Sequence, residues 1–360
     1  MIDELDNKFP YKVLFLRLSN VADKDQFKRL QEDGEIAFTY DEIERQLKEL
    51  VRCRYPMGLS LEDEQRYIKE LLEEKTLDEY GVWVYYSWRK SIVHILDEDE
   101  FIEVRTNRNQ LKISKEEHKV LSSKKIGVIG LSVGQSIALT IAMERICGVL
   151  RLADFDTLDL SNMNRLRTGV FNLSVPKVVI AAREIAEIDP YLKVELFPEG
   201  VNSDNYERFF YEHGGIDVLV EVCDSFEVKM ESRFRAKEAR IPVVMDTNDR
   251  GMLDIERFDL EPNRPILHGF VQDLTLEKLK TLSDIEKLKY LMQIVDAENL
   301  SSKMKESIPE MRRSIVSWPQ LASEVILGGA MTTAVCRRIL LGRNVNSGRY
   351  YLDVEQIVGG

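Results

Sequence analysis

Two acidic and two basic side chains are the residues of this sequence best placed to act on a nucleotide. Asp154 and Asp224 each follow a predicted strand, and Arg165 and Lys177 lie in the segment between them. Carboxylates at strand ends can hold ribose hydroxyls or Mg²⁺, and cations can offset the charge that builds up when a phosphate is transferred. The combination predicts a site that cleaves a nucleoside triphosphate between its α- and β-phosphates.

A short loop with two glycines precedes these residues. Gly130 and Gly134 flank the tripeptide Leu131-Ser-Val, where a predicted strand passes into a helix. Such glycines let backbone N–H groups and the helix N-terminus face a phosphate. The loop matches neither the dinucleotide fingerprint Gly-x-Gly-x-x-Gly nor the P-loop pattern, so by itself it is a weak signal. Asp154 strengthens it, because it comes 24 residues after Gly130, where a ribose-binding carboxylate is expected.

Strands and helices alternate through the larger part of the chain. Strands are predicted at 125–129, 149–153, 193–198, 217–222 and 242–246, and helices at 134–146, 176–188 and 226–239. This alternation predicts an α/β fold with a doubly wound, mostly parallel sheet. Further strands are predicted at 252–258 and 266–271, a charged helical region at 275–312, an apolar helix at 318–341 and a last strand from 349. Because ligands bind at the carboxyl ends of parallel strands, the fold would gather Asp154 and Asp224 at one edge.

The first hundred residues form a different kind of region. A hairpin is predicted from strands at 82–86 and 91–96, with helices before it, which indicates a small α+β region. His94 lies inside an apolar strand and is interpreted as a structural residue. The predicted domains are an N-terminal accessory region at 1–100 and an ATP-binding domain at 101–360.

Composition and charge exclude several classes of protein. The net charge of −12 disfavours binding to DNA or to an anionic membrane surface. The four cysteines form no Cys-x-x-Cys pair, and the acidic N-terminus has no apolar core, so we expect a cytoplasmic protein without a signal peptide. The uncharged stretch 126–143 contains glycine and serine and is interpreted as strand, turn and helix rather than a membrane span. Cys223 is interpreted as a small packing residue.

The segment after the second strand resembles a known family. It reads Leu152-Ala-Asp-Phe-Asp-Thr-Leu-Asp-Leu-Ser-Asn-Met-Asn-Arg and is followed by Pro176-Lys177. This pattern resembles the ThiF/MoeB adenylyltransferases, bacterial relatives of ubiquitin-activating enzymes, and the similarity extends from about Arg105 to the end of the sequence. The loop Leu131-Ser-Val-Gly and the segment Asp249-Arg-Gly-Met-Leu-Asp are most similar to a bacterial subgroup that is often fused to a nitroreductase-like domain.

The resemblance implies a Rossmann-like ThiF fold and a role for each matching residue. The residues that would bind the nucleotide are Gly130, Ser132, Gly134, Asp154, Asp156 and Asn162, with Asp154 on the ribose. The residues that would act in catalysis are Arg165, Lys177, Asp224 and Arg108, with Asp224 as the ligand of Mg²⁺. Arg108 would reach the ATP site of a second subunit, which implies a homodimer.

The sequence also departs from the family pattern. Ser132, Val133 and Gln135 stand where the usual Gly-x-Gly-Gly-x-Gly loop has glycines. The zinc-binding Cys-x-x-Cys pairs of many relatives are absent, and the region 275–312 contains no cysteine. We therefore expect a reaction that stops at an acyl-adenylate or passes it to an outside nucleophile, without a thioester.

The predicted function is an ATP-dependent adenylyltransferase that activates a carboxylate as an acyl-adenylate and releases pyrophosphate. The expected substrate is the C-terminus of a small ubiquitin-like or sulfur-carrier protein, or a peptide. One alternative is an NAD- or FAD-dependent oxidoreductase, which shares the strand-loop-helix-Asp pattern but leaves Arg165 and Lys177 without a role. A nucleotide-binding module without catalysis is the other alternative, and the substituted glycine loop is its best support.

Overall fold

A computed structural model of the chain describes residues 2–271 and 273–359. The chain forms two compact units. The first runs to Glu116 and includes Ala186–Tyr191, and the second comprises Glu117–Ile185 and the chain from Leu192 onward. Among the helices of the described residues, none combines the length and hydrophobicity that crossing a bilayer requires.

The first unit is built around a four-stranded sheet. Its elements are α1 (Ile2–Lys8), β1 (Leu14–Leu16), α2 (Val21–Glu32), β2 (Phe38–Asp41), α3 (Ile43–Arg54), α4 (Leu61–Leu72), β3 (Val82–Tyr86), β4 (Ser91–Ile95) and α5 (Glu98–Arg105). Helix α6 (Lys115–Leu121) begins at the end of this unit and continues into the second. The strand order is β1-β3-β4-β2, with β2 parallel to β4 and the other pairs antiparallel. The predicted hairpin is thus present as β3 and β4.

His94 has a structural role inside this sheet. Its imidazole is fully buried and stacks on Trp83 with ring centroids 4.2 Å apart. The two ring nitrogens are hydrogen-bonded to the Asp41 carboxylate at 2.9 Å and to the Tyr80 carbonyl at 2.7 Å. Both nitrogens are therefore used within the fold, as predicted for a structural histidine.

The second unit contains the remaining elements. They are β5 (Lys125–Ile129), α7 (Gly134–Glu144), β6 (Val149–Ala153), α8 (Lys177–Ile188), β7 (Lys193–Phe197), α9 (Tyr206–Tyr211), β8 (Val218–Glu221), α10 (Phe226–Glu238), β9 (Val243–Asp246), β10 (Met252–Glu256), α11 (Leu276–Leu279), α12 (Asp284–Ile294), α13 (Ser302–Ser307), α14 (Ala322–Leu340), β11 (Gly348–Tyr351) and α15 (Val354–Val358). From β5 to β10, every element except α9 follows the predicted alternation, with ends that differ by a few residues.

The sheet of this unit has seven strands in the order β11-β10-β9-β8-β5-β6-β7. The five strands from β9 to β7 are parallel, and β10 and β11 add an antiparallel edge. This arrangement confirms the predicted α/β fold class. The chain leaves β5 toward β6 on one side and returns to β8 on the other, so the edge between β5 and β8 is the switch point where such sheets bind ligands.

A buried network of charges joins β8, α10 and β10. Lys229 Nζ lies 2.8 Å from Glu221 Oε2, and Arg233 binds both Glu221 and, at 2.9 Å, Glu256. Burial alone would raise the pKa of Glu221, but Lys229 and Arg233 outweigh it and hold that pKa at about 2. Each charge has an opposite partner, which a buried ion requires. The sequence analysis did not foresee this network.

The strand predicted at 266–271 was wrong. The structure has a 3₁₀ turn at Ile266–Gly269 instead. Leu267 and His268 have φ angles of 46° and 56°, which no strand accommodates. The turn is held in place because the Leu267 N–H donates to the buried Glu256 carboxylate and the His268 ring contacts Asp254. Tertiary partners thus outweigh the local alternation of apolar residues.

Candidate functional site

The loop after β5 packs directly against the loop after β8. Gly130 has a φ of 89°, and a Cβ at this position would lie 2.8 Å from backbone atoms of Cys223 and Val222. Only glycine fits both the left-handed backbone and the close approach. The contact brings the glycine loop, here residues 130–134, beside Asp224 at the switch point of the sheet.

Asp154 fastens the glycine loop to the end of β6. Its Oδ2 accepts a hydrogen bond from the Leu131 N–H at 2.6 Å, and its Oδ1 accepts one from the Asp156 N–H at 2.8 Å. Burial raises the pKa of Asp154, while these backbone donors and Lys177 oppose the rise. The carboxylate is half-buried, so its oxygens order the loop and still reach the surface of the sheet edge.

Lys177 lies at the start of α8 in contact with the same acidic segment. Its Nζ is 2.8 Å from Asp156 Oδ2, and its backbone N–H donates to the Asp156 carbonyl at 2.9 Å. The lysine side chain is only 7% exposed, whereas the side chain of Asp156 is 53% exposed. Asp156 therefore holds the ammonium group in place. The ammonium has three donor hydrogens, and only one of them is needed for the bond to Asp156.

Arg165 reaches back to the glycine loop. Its Nε and Nη2 donate to Ser132 Oγ at 3.1 and 2.8 Å, and its Nη1 donates to Asn164 Oδ1 at 2.8 Å. The guanidinium is half-buried, and burial lowers the pKa of Arg165 while the negative charge of Asp224 opposes that effect. The Arg165 guanidinium and the Ser132 hydroxyl thus lie together at the glycine loop, near the exposed carboxylate of Asp224.

The other predicted site residues have separate surroundings. Asn162 Oδ1 accepts from the Asp159 N–H at 3.1 Å and so stabilises the 3₁₀ turn Leu160–Asn164. Arg108 is exposed in the turn Asn107–Asn109 of the first unit. Cys223 is half-buried, and burial raises the pKa of its thiol, so a thiolate nucleophile is disfavoured.

Comparison with known proteins finds a family match over the segment that contains the glycine loop. Residues 106–252 match the ThiF family. The uncharacterized protein MT1398 of Mycobacterium tuberculosis (strain CDC 1551 / Oshkosh) is 43% identical over 279 residues, which are 78% of this chain and 39% of that protein. The tRNA threonylcarbamoyladenosine dehydratase of Bacillus subtilis (strain 168) is 28% identical over 156 residues, which are 43% of this chain and 60% of that enzyme.

A solved structure is similar as well. The crystal structure of selenomethionine PaaA aligns with a TM-score of 0.49 and 21% identity, over 72% of this chain and 84% of that one. The chain spans 39% and 60% of the length of the two curated relatives named above.

Among the described residues, 2–271 and 273–359, no three His, Cys, Asp or Glu side chains form a group that could hold a metal by themselves. Asp224 is an exposed carboxylate at the sheet edge, beside the glycine loop. Mg²⁺ commonly takes one or two carboxylates together with substrate phosphates and waters. The donor set at Asp224 therefore fits a metal that arrives with a nucleotide.

Gln135 is a residue near the glycine loop whose role the sequence analysis missed. It lies in the first turn of α7 and is 3% exposed. Its side-chain amide contacts both the N–H and the carbonyl of Arg167, and it also contacts Glu184. The only signal in the sequence was a polar residue where the family pattern has glycine.

Asp246 is a second residue that the sequence analysis did not single out. It ends β9, and its Oδ1 accepts a hydrogen bond from the Asn248 N–H at 3.1 Å. Its Oδ2 is buried and has no hydrogen-bond partner among the described residues. A Cβ at Gly328 of α14 would lie 1.8 Å from this oxygen. Burial raises the pKa of Asp246 to about 7.

Proposed function

We propose that this protein is an ATP-dependent adenylyltransferase, which activates a carboxylate as an acyl-adenylate and releases pyrophosphate. The observation that carries the proposal is Arg165 bonded to Ser132 in the glycine loop, with Asp224 on the adjoining strand end. A dinucleotide dehydrogenase has no need of a cation at this place. A triphosphate that loses pyrophosphate needs one, because negative charge grows on the leaving group.

The nucleoside end of ATP would bind along the carboxyl ends of β5 and β6. The glycine loop offers backbone N–H groups and the N-terminus of α7 to a phosphate. Asp154 holds this loop through the Leu131 N–H, and each of its oxygens retains a lone pair for a ribose hydroxyl. Ser132 Oγ accepts from Arg165 and can donate its own proton to a phosphate oxygen.

The reaction would depend on position and charge. The substrate carboxylate is ionised at neutral pH and attacks the α-phosphorus without a general base, while the bond to the β-phosphate oxygen breaks. Arg165 and Lys177 would offset the charge on the phosphates, and Lys177 can do so without releasing Asp156. Asp224 would hold Mg²⁺, which neutralises charge on the phosphate oxygens when bound.

Arg108 would complete the site from a second subunit. It is an exposed side chain of the first unit, as an arginine that acts in trans must be. This role makes a homodimer part of the proposal. Residues 1–100 would then form an accessory region beside an ATP-binding domain at 101–360.

The proposed substrate is a peptide or a small carrier protein with a free C-terminal carboxylate. The relative from Bacillus subtilis is named as a tRNA-modifying enzyme, so a nucleoside carboxylate is the obvious competitor. The net charge of −12 opposes tRNA, because binding nucleic acid relies on neutralising phosphates with Lys and Arg. Membership of the subgroup fused to a nitroreductase-like domain is a further inference, supported by the loop Leu131-Ser-Val-Gly.

Nucleotide titration calorimetry on the full chain tests the proposal. We expect Mg·ATP to bind and NAD(H) to bind far more weakly. Removal of Mg²⁺ should weaken the binding of ATP. Arg165→Ala should lower the affinity for Mg·ATP roughly 10- to 100-fold, because a hydrogen bond to a charged group contributes about 1.5–3 kcal/mol to binding. Arg167→Ala is the matched control, since its exposed side chain lies two residues away and only its backbone contacts Gln135.

Catalysis is tested by exchange of labelled pyrophosphate into ATP. Peptides with free C-terminal carboxylates should support exchange, and the same peptides with amidated C-termini should not. Asp224→Ala should abolish exchange while ATP still binds weakly. Binding of NAD(H) in preference to Mg·ATP would refute the proposal and favour an oxidoreductase.

A further inference from the structure

Two side chains of the glycine loop and α7 hold the segment that carries Arg165. We call Asn164–Arg167 the arginine segment. Gln135 Oε1 accepts a hydrogen bond from the Arg167 N–H at 3.1 Å, and Gln135 Nε2 donates to the Arg167 carbonyl at 3.4 Å. The same Nε2 donates to Glu184 Oε2 of α8 at 2.9 Å, which fixes the rotation of the amide.

The arginine segment is attached at its other end as well. Ser132 receives two hydrogen bonds from the Arg165 guanidinium, and Asn164 Nδ2 donates to the Gln320 carbonyl at 2.7 Å. Leu166, between these two attachments, is 6% exposed. The segment contains no regular helix beyond the 3₁₀ turn that ends at Asn164, so these side-chain contacts supply much of its order.

We propose that Gln135 is a positioning residue, which together with Ser132 fixes the arginine segment so that Arg165 faces the glycine loop before a nucleotide arrives. Gln135 would touch no phosphate and would act only through the backbone of Arg167. The effect on ATP rests on the proposed function, whereas the order of the segment in the free protein does not. Ser132 and Gln135, which stand where the family pattern has glycine, would then give Arg165 additional support.

The physical basis is preorganisation of a charged side chain. An arginine on a loose segment must lose conformational freedom when it binds a phosphate, and that loss weakens binding. A buried amide that uses both its donor and its acceptor on the backbone of one residue restricts the segment in advance. Alanine at position 135 removes both bonds and leaves the Glu184 carboxylate without the contact from Gln135.

Limited trypsin digestion of the free protein tests the order of the segment. Trypsin cleaves after arginine, so Arg165 and Arg167 are reporters within the segment itself. Gln135→Ala should raise the cleavage rate there about tenfold, because two hydrogen bonds to the Arg167 backbone are lost. Thr140→Ala is the matched control, since Thr140 lies on the same helix and its hydroxyl bonds only to the Ser136 carbonyl.

Calorimetry with Mg·ATP provides the second measurement. Gln135→Ala should weaken Mg·ATP about tenfold, and in the background of Arg165→Ala it should have almost no further effect, because both act through one side chain. Gln135→Glu serves as a second variant that keeps the side-chain size and the acceptor for the Arg167 N–H but loses the donor and places a carboxylate against that of Glu184. It should raise the cleavage rate and weaken Mg·ATP binding at least as much as Gln135→Ala.

The outcomes separate the inference from the proposed function. Faster cleavage at the segment with weaker Mg·ATP binding supports both. Faster cleavage in a protein that binds no Mg·ATP supports the positioning of the segment and refutes adenylation. Cleavage of Gln135→Ala and Gln135→Glu at the rate of Thr140→Ala, or additive losses of ATP affinity with Arg165→Ala, would overturn the positioning role.

Discussion

The buried carboxyl of Asp246 makes a sharp prediction about stability and pH. Its pKa rises from 3.8 to about 7 in the folded protein because burial disfavours the charged form. Between pH 4 and 7 the folded chain therefore holds a proton that the unfolded chain has lost. The sign follows from linkage, since the state with more bound protons is disfavoured as pH rises. Stability falls from pH 4 to pH 7 and is then constant.

The magnitude follows from the size of the shift. A shift of about three pH units at 1.36 kcal/mol per unit corresponds to about 4 kcal/mol in total, of which about 3 kcal/mol falls between pH 5 and 8. Asp246→Asn removes the ionisation and keeps the acceptor for the Asn248 N–H. The variant should gain stability relative to the wild type by about 3 kcal/mol as the pH is raised from 5 to 8.

Hydrogen exchange at the amides of β9 measures this gain in the second unit itself. Protection factors at pH 5, 6, 7 and 8, corrected for the intrinsic exchange rates, give the free energy of opening for both proteins. Asp224→Asn is the control, because its exposed carboxyl follows the neighbouring strand. A difference between Asp246→Asn and wild type that is flat across this range would refute the assignment of a buried, protonated Asp246.

Two further predictions concern the same unit. Gly130→Ala should lower the free energy of unfolding by more than about 2 kcal/mol, whereas Gly342→Ala should lower it by only about 1–2 kcal/mol. Both glycines have left-handed φ angles, 89° and 63°, but only at Gly130 would an added Cβ lie against backbone atoms. Urea unfolding of the two variants gives the comparison, and equal losses would contradict the close contact. Arg233→Leu should cost about 3–5 kcal/mol because it leaves Glu221 buried beside one partner fewer, while Arg313→Leu should cost under about 1 kcal/mol, since that ion pair is exposed. Thermal unfolding checks the second pair, and comparable melting shifts would argue against the buried network.

The sheet could be predicted from the sequence because its central strands have an unmistakable composition. A strand buried on both faces is a nearly continuous apolar run, as in the residues 218–220, and helices separate these runs. The site could be anticipated in the same way, since Asp154 and Asp224 follow such strands. The contacts that join them are the hydrogen bond from the Leu131 N–H to Asp154 and the packing of Gly130 against the loop after β8. Sequence spacing does not predict these contacts, because they depend on distances in the folded chain.

The features that were missed depend on partners distant in sequence. Helix α10 has many charged residues, which is typical of a solvent-exposed helix. Its Lys229 and Arg233 are nevertheless buried against carboxylates of two strands. Gln135 reads as an isolated polar residue, because its partner is a peptide group 32 residues away. The predicted strand at 266–271 failed for the same reason, since the buried Glu256 captures the Leu267 N–H.

The order in which the sheet is assembled has a consequence for synthesis. Strand β5 lies between β6 and β8, and about 90 residues separate the end of β5 from the start of β8. At 5–20 residues per second, roughly 5–20 s pass on the ribosome before the second edge of β5 has a strand to pair with. During that interval an apolar, unpaired edge is open to other nascent chains. Slow translation of residues 130–217 would therefore lower the yield of folded protein, and a chaperone that covers strand edges would restore it.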